Sequence, residues 1–150
     1  MLLHKLENAF FNENEHLVEV LDKDKSGWNI QNKTRGYGIL VVNINNLRFG
    51  IPLRSHIKHK DCYRTGDTKG LDYSKAVLLV RDEYISDDAF MIPQNEFLKI
   101  KEHAHFIEQK FNKYILHYIE AVNKNDVNVL RAYRFSTLQN YHRELGLLSI

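Results

Sequence analysis

The stretch GYGILVVNINNLRFGI (36–51) constrains the fold more than any other part of this chain. Residues 36–43 are apolar, rich in β-branched side chains and fronted by glycine, which is strand composition. Asn45-Asn46 supplies a turn, and residues 47–51 alternate as a second strand, so the sequence predicts a hairpin. From Asn95 onward the period changes. Phe97, Ile100, Ala104, Ile107, Phe111, Tyr114, Tyr118 and Val122 recur at helical spacing. Strands first and helices last predict an α+β fold, with a mostly antiparallel sheet and helices packed against it.

The remaining segments are placed around that frame. Residues 1–12 are expected to form a turn or short helix, 16–21 a strand, 22–27 a turn and 28–35 a loop. Residues 54–72 read as a polar loop, with short buried strands following at 76–80 and 90–92. The acids Asp82, Glu83, Asp87 and Asp88 fall in an expected solvated turn. The long helix, 95 to about 123, is expected to break near His103–His105, and a second helix at 128–144 to end on Gly146 as its C′ residue. At 150 residues with 43% hydrophobic content, the chain reads as one domain, 1–150, with a real core. The single cysteine, Cys62, excludes an intrachain disulfide and a thiolate zinc cluster. No apolar run approaches the ~18 residues of a membrane span, and charge interrupts the start too soon for a secretory segment. A cytoplasmic location is the expectation.

Charge is informative locally rather than in total. The net charge is +2, but residues 48–75 hold seven Lys and Arg (Arg48, Arg54, Lys58, Lys60, Arg64, Lys69, Lys75) against Asp61, Asp67 and Asp72. The densest part is IPLRSHIKHK (51–60), where a strand end runs into Arg54, His56, Lys58 and Lys60 with Ser55 among them. Such cations repel one another unless an anion lies between them, and a phosphate fits that role. Lys33-Thr34-Arg35 and the stretch Lys69–Lys75 are further basic clusters where loops meet strands. Tyr37, Tyr63 and Tyr73 lie beside them. Cations interleaved with aromatic faces suit single-stranded RNA, whose phosphates pair while its bases stack.

Several other chemistries lack their signatures. There is no Gly-rich phosphate loop, no His-Glu-x-x-His and no nucleophile elbow. His103 and His105 fall on different faces of a helix and, like His117 and His142, read as ordinary helix residues. No metal or other cofactor is expected. RNA can be cut without a metal because its own 2′-OH can attack the neighbouring phosphorus. The enzyme must take the 2′-OH proton, stabilise the phosphorane and protonate the leaving 5′-oxygen. Arg, Lys, His and Ser in 54–60 supply groups of those kinds.

Four stretches resemble the endoribonuclease toxins of type III toxin–antitoxin systems, the ToxN and AbiQ group and its TenpN-like branch. They are HLVEVLDKD (16–24), RGYGILVVNINNLRFGIPLRSH (35–56), KGLDYSKAVLL (69–79) and FLKIKEHAHFI (97–107). The resemblance implies a compact, barrel-like fold similar to the MazF and Kid toxins. It implies metal-independent cleavage to a 2′,3′-cyclic phosphate and a 5′-hydroxyl. It also implies a tandem-repeat small RNA antitoxin, which the toxin processes and which then inhibits it in a protein–RNA hetero-oligomer. Such systems act against phage by abortive infection. The family's Pro-Leu-Thr-Ser-Pro-Lys type motif falls on Pro52, Leu53 and Ser55. Arg54 stands at its threonine and Ile57 at its lysine, with His56 and Lys58 on either side.

The candidate catalytic residues are therefore Ser55, Arg54, His56 and Lys58, with His56 and Lys58 as alternatives for moving the proton. Lys33, Arg35, Lys60, Tyr73 and Lys75 are the candidate RNA-binding residues. The main alternative is an RNA-binding module that clamps phosphates without cutting. A protein-interaction domain with merely solvated cations is a third.

Overall fold

The computed structural model describes residues 3–29 and 37–147. In order, the elements are β1 (Leu3–Leu6), α1 (Asn8–Glu13), β2 (Lys23–Asp24), β3 (Gly27–Trp28), β4 (Gly38–Ile44), β5 (Leu47–Arg54), β6 (Cys62–Arg64) and β7 (Gly70–Asp72). After them come β8 (Val77–Leu78), β9 (Ile85–Ala89), α2 (Gln94–Glu102), α3 (Ala104–Asn123) and α4 (Val127–Ala132). Short 3₁₀ turns occupy Tyr73–Lys75, Asp82–Tyr84 and Thr137–Asn140. The main sheet runs β6-β7-β5-β4-β1-β9, with β8 also on β5, and every pairing in it is antiparallel. Among the described residues this is an α+β fold whose sheet ends at β6 and β9 without closing into a barrel.

The hairpin forms where the sequence places it. Asn45 and Asn46 both take positive φ, 50° and 68°, and residues 44 and 47 pair directly, as a two-residue hairpin turn requires. The pleat sends Phe49, Ile51 and Leu53 to one face of β5 and Pro52 and Arg54 to the other. Phe49 meets Phe111 of α3 edge-on, with centroids 5.3 Å apart, which seats the long helix on the first face. Ile107, Phe111 and Ile115 of α3 are buried with it. Between β3 and α1, Trp28 packs against Phe10 and Phe11, with centroids 6.0 and 5.1 Å away.

Several expectations are corrected. Residues 16–21 are not a strand: Glu19 and Asp22 adopt positive φ (62° and 63°), which breaks the pleat. Leu17 and Val20 are still buried, and the Asn140 side chain grips Val18 instead, accepting from its N–H (3.0 Å) and donating to its C=O (2.8 Å). The 54–72 stretch contains β6 and β7 and is not simply a loop. The strand expected at 90–92 lies earlier, as β9, and carries Asp87 and Asp88 on an exposed sheet edge rather than in a turn; charge there discourages pairing with other chains. The first twelve residues hold a strand as well as a short helix. The second helix stops at Ala132. Buried Thr137 donates to the Ala76 carbonyl and Ser136 caps Leu138 N–H (3.2 Å), so tertiary bonds override helical spacing. Gly146 does close that region, at φ +77°, with Leu147 N–H on His142 O and Gly146 N–H on Arg143 O. The expected break in the long helix occurs at His103.

Candidate functional site

The end of β5 and the short strand β7 build the most concentrated polar site among the described residues. Arg54 pairs with Gly70, so Asp72 lies two residues along on the same face, diagonal to Arg54. Gly70 has to be bare: a Cβ there would stand 2.0 Å from the Tyr63 carbonyl oxygen. Arg54 Nη1 donates to Asp72 Oδ2 at 2.8 Å. Asp72 is fully buried, with its side chain 0% exposed, and it is an acceptor from every direction. Ser74 gives its N–H (3.0 Å) and its hydroxyl (2.6 Å) to Oδ1. His59 Nε2 lies 3.2 Å from both carboxylate oxygens. The Asp61 N–H donates to His59 Nδ1 (3.1 Å), which leaves the ring proton on Nε2 for Asp72. A buried carboxylate is tolerated on such terms, with its lone pairs taken by a cation and several donors.

This network fixes Arg54 through one nitrogen. Its Nε and Nη2 have no partner among the described residues, and the side chain is partly exposed. The loop beyond it is ordered mainly through its backbone. Ile57 is buried and its N–H donates to Thr68 O (2.7 Å). Arg64 reaches back with Nη1 to the carbonyls of Ile57 (3.3 Å) and Asp67 (3.0 Å), and with Nη2 to that of His59 (3.1 Å). His56 takes a left-handed φ of 58°. Ser55, His56, Lys58 and Lys60 are all exposed, and their side chains make no hydrogen bond or ion pair with the described residues.

Of the other candidate residues, Lys75 is half-buried and donates to the carbonyls of Glu19 and Phe135, both at 2.8 Å. Burial pushes its ammonium below the usual lysine range, against the pull of Glu19 and Asp72. Tyr73 does not offer a ring to a ligand. It is 5% exposed, and its ring packs on Phe111 and Tyr114, with centroids at 5.8 and 6.4 Å. Desolvation pushes its hydroxyl far above the usual tyrosine range. Lys33 and Arg35 lie outside the described residues.

The fold thus uses five of the seven cations that the sequence concentrates between 48 and 75. Arg48 pairs with Asp82 (2.7 Å), Arg54 with Asp72, and Lys69 with Glu96 (3.2 Å), while Arg64 and Lys75 serve carbonyls. Lys58 and Lys60 are the two left without protein partners among the described residues. Asp72, His59 and Ser74 are the residues that the sequence reading did not single out. Asp72-Tyr73-Ser74 was the available signal, since an Asp accepting from the backbone two residues on is a turn pattern.

No family model, no curated protein and no solved structure matches this chain. Among the described residues, no three His, Cys, Asp or Glu side chains are grouped to hold a metal ion, and no helix is long and apolar enough to cross a membrane.

Proposed function

We propose that the chain is a metal-independent endoribonuclease whose centre lies at Arg54–Lys58, and that it acts as the toxin of a type III toxin–antitoxin system. The observation that carries the cleavage reading is the state of Arg54. One guanidinium nitrogen is anchored on a buried carboxylate, while the others are available beside the unpartnered Ser55, His56, Lys58 and Lys60. A planar cation aimed by a fixed anion holds a phosphate in one orientation at little entropic cost.

In this reading the substrate's 2′-oxygen attacks phosphorus, forming the P–O2′ bond while P–O5′ breaks. The 2′-OH proton passes to a base and the 5′-oxygen receives a proton from an acid, giving a 2′,3′-cyclic phosphate and a 5′-OH. Arg54 and Lys58 stabilise the phosphorane, and Ser55 orients a non-bridging oxygen. His56 or Lys58 moves the proton. Lys60, Lys33 and Arg35 are the proposed backbone contacts. Tyr73, being buried, and Lys75, whose ammonium serves two carbonyls, are withdrawn from that set.

The toxin identity rests on the four resembling stretches. With it come a cytoplasmic location, a tandem-repeat RNA antitoxin, a protein–RNA hetero-oligomer, cellular and phage RNA as substrates, a role in phage defence, and a MazF-like core. A binding-only reading has its own support: neither Ser55 nor His56 has a described neighbour that orients it for catalysis.

Incubation of cellular RNA with the protein in EDTA separates these readings. Cutting that persists in EDTA and disappears in a folded Ser55→Ala supports the enzyme. Retention of intact RNA by wild type supports the binding module, and unimpaired cutting by Ser55→Ala removes that residue from the mechanism.

A further inference from the structure

The sheet's β6 end carries a second feature that the proposed cleavage chemistry does not use. Tyr63 pairs with Leu71 and so projects towards the helices, opposite to Cys62 and Asp72. Its hydroxyl lies 3.2 Å from Lys99 O and 2.9 Å from His103 Nδ1. The His103 ring stands 5.9 Å away at 42°, and the Phe106 ring 6.5 Å away at 65°. Phe106 is 47% exposed, and Lys110 Nζ lies 5.5 Å from its centroid.

The frame under these rings is held firmly. Lys99 Nζ donates to Thr65 O (3.2 Å), and the buried Thr65 hydroxyl donates to Glu96 Oε1 (2.8 Å). Lys69 closes on the other Glu96 oxygen at 3.2 Å. Docking of the α2–α3 junction on the sheet accounts for Tyr63. It does not account for Phe106, which leaves much of its ring in water at the end of a series of rings with a cation beside it.

We propose that Tyr63, His103 and Phe106, with Lys110, form a stacking site for unpaired bases of single-stranded RNA. The inference rests on the RNA reading above and supplies what that reading lacks, a place for bases beside the place for phosphate. Ring faces accept any base, and a neighbouring ammonium pairs with the phosphate between stacked bases. The two sites are also near one another. Cys62 faces Asp72 across the β6–β7 ladder, and Tyr63 is the next residue on the opposite face. β6 ends the described sheet, so an RNA strand passing around it goes from the Arg54 face to the rings.

The test uses 2′-O-methyl RNA, which cannot attack its own phosphorus and so reports binding alone. A labelled adenosine octamer and an abasic ribose-phosphate octamer are titrated against wild type, Phe106→Ala and Phe106→Trp. Phe106→Ala is expected to weaken the adenosine octamer roughly 5- to 100-fold, to leave the abasic octamer unchanged, and to be rescued by Phe106→Trp. Equal loss on both octamers, or no loss on either, overturns the inference. So does sedimentation in which Phe106→Ala only dissociates a dimer. Base-dependent binding by a protein that cuts no RNA would retire the cleavage reading and leave the stacking site standing.

Discussion

Arg54 donates to a carboxylate that no solvent reaches, whereas Lys58 and Lys60, on the loop that follows, extend into water without a described partner. The sequence presents them as one basic cluster, and the fold divides them. Arg54, His59, Arg64 and Lys75 hold chain segments together through Asp72 and backbone carbonyls, with Nε and Nη2 of Arg54 left over. The side chains of Ser55, His56, Lys58 and Lys60 bond to nothing among the described residues. Side chains kept out of a fold's own hydrogen bonds remain available for a ligand, so the short exposed run is the better place to look for chemistry. The pinned residues determine where that run points.

This division can be broken from the pinned side first. Asp72→Ala leaves Arg54, His59 and two Ser74 donors around an empty buried position. It is expected to cost about 3 kcal/mol in urea denaturation; a loss below ~1 kcal/mol would show that the network does not organise the loop. Gly70→Ala forces the backbone at Tyr63 to move, and a cost of about 1–3 kcal/mol is expected in the same assay. From the free side, Lys58→Ala combined with Lys60→Ala should leave stability within ~0.5 kcal/mol. It should flatten the salt dependence of RNA binding by about 0.7 in log–log slope per lysine. Arg48→Ala, which loses its pairing with Asp82 and its hydrogen bond to the Leu79 carbonyl, should leave that slope unchanged. An equal effect of Arg48 and the two lysines would erase the distinction.

How much of this was legible in the sequence follows from the length scale of each interaction. The β4–β5 hairpin and the α2–α3 pair were legible because eight or more residues repeat one pattern. The turn residues Asn45 and Asn46 and the break at His103 fall where the sequence places them. β6 and β7 are three residues each, too short for a period to register, and they pair only because Gly70 admits close approach. β9 was hidden because Asp87 and Asp88 make an edge strand resemble a solvated turn. For the site, Arg54 and Ser55 were readable as neighbours in a cation-rich motif. The buried role of Asp72 was not, because Arg54 and Asp72 come together only through strand register. Tyr73 looked like a stacking residue because nothing local indicates that α3 will cover it.

The Asn140 grip on Val18 has a consequence for when the molecule becomes whole. Those residues are 122 positions apart, and Lys75 likewise waits 60 positions for the carbonyl of Phe135. At about 5–20 residues per second, a ribosome needs on the order of ten seconds to bring the first pair within reach. Until then the 16–22 segment has lost its clasp, and Lys75 has one acceptor of its two. On the proposed reading, any cleavage that depends on these two contacts waits for residues 135–140.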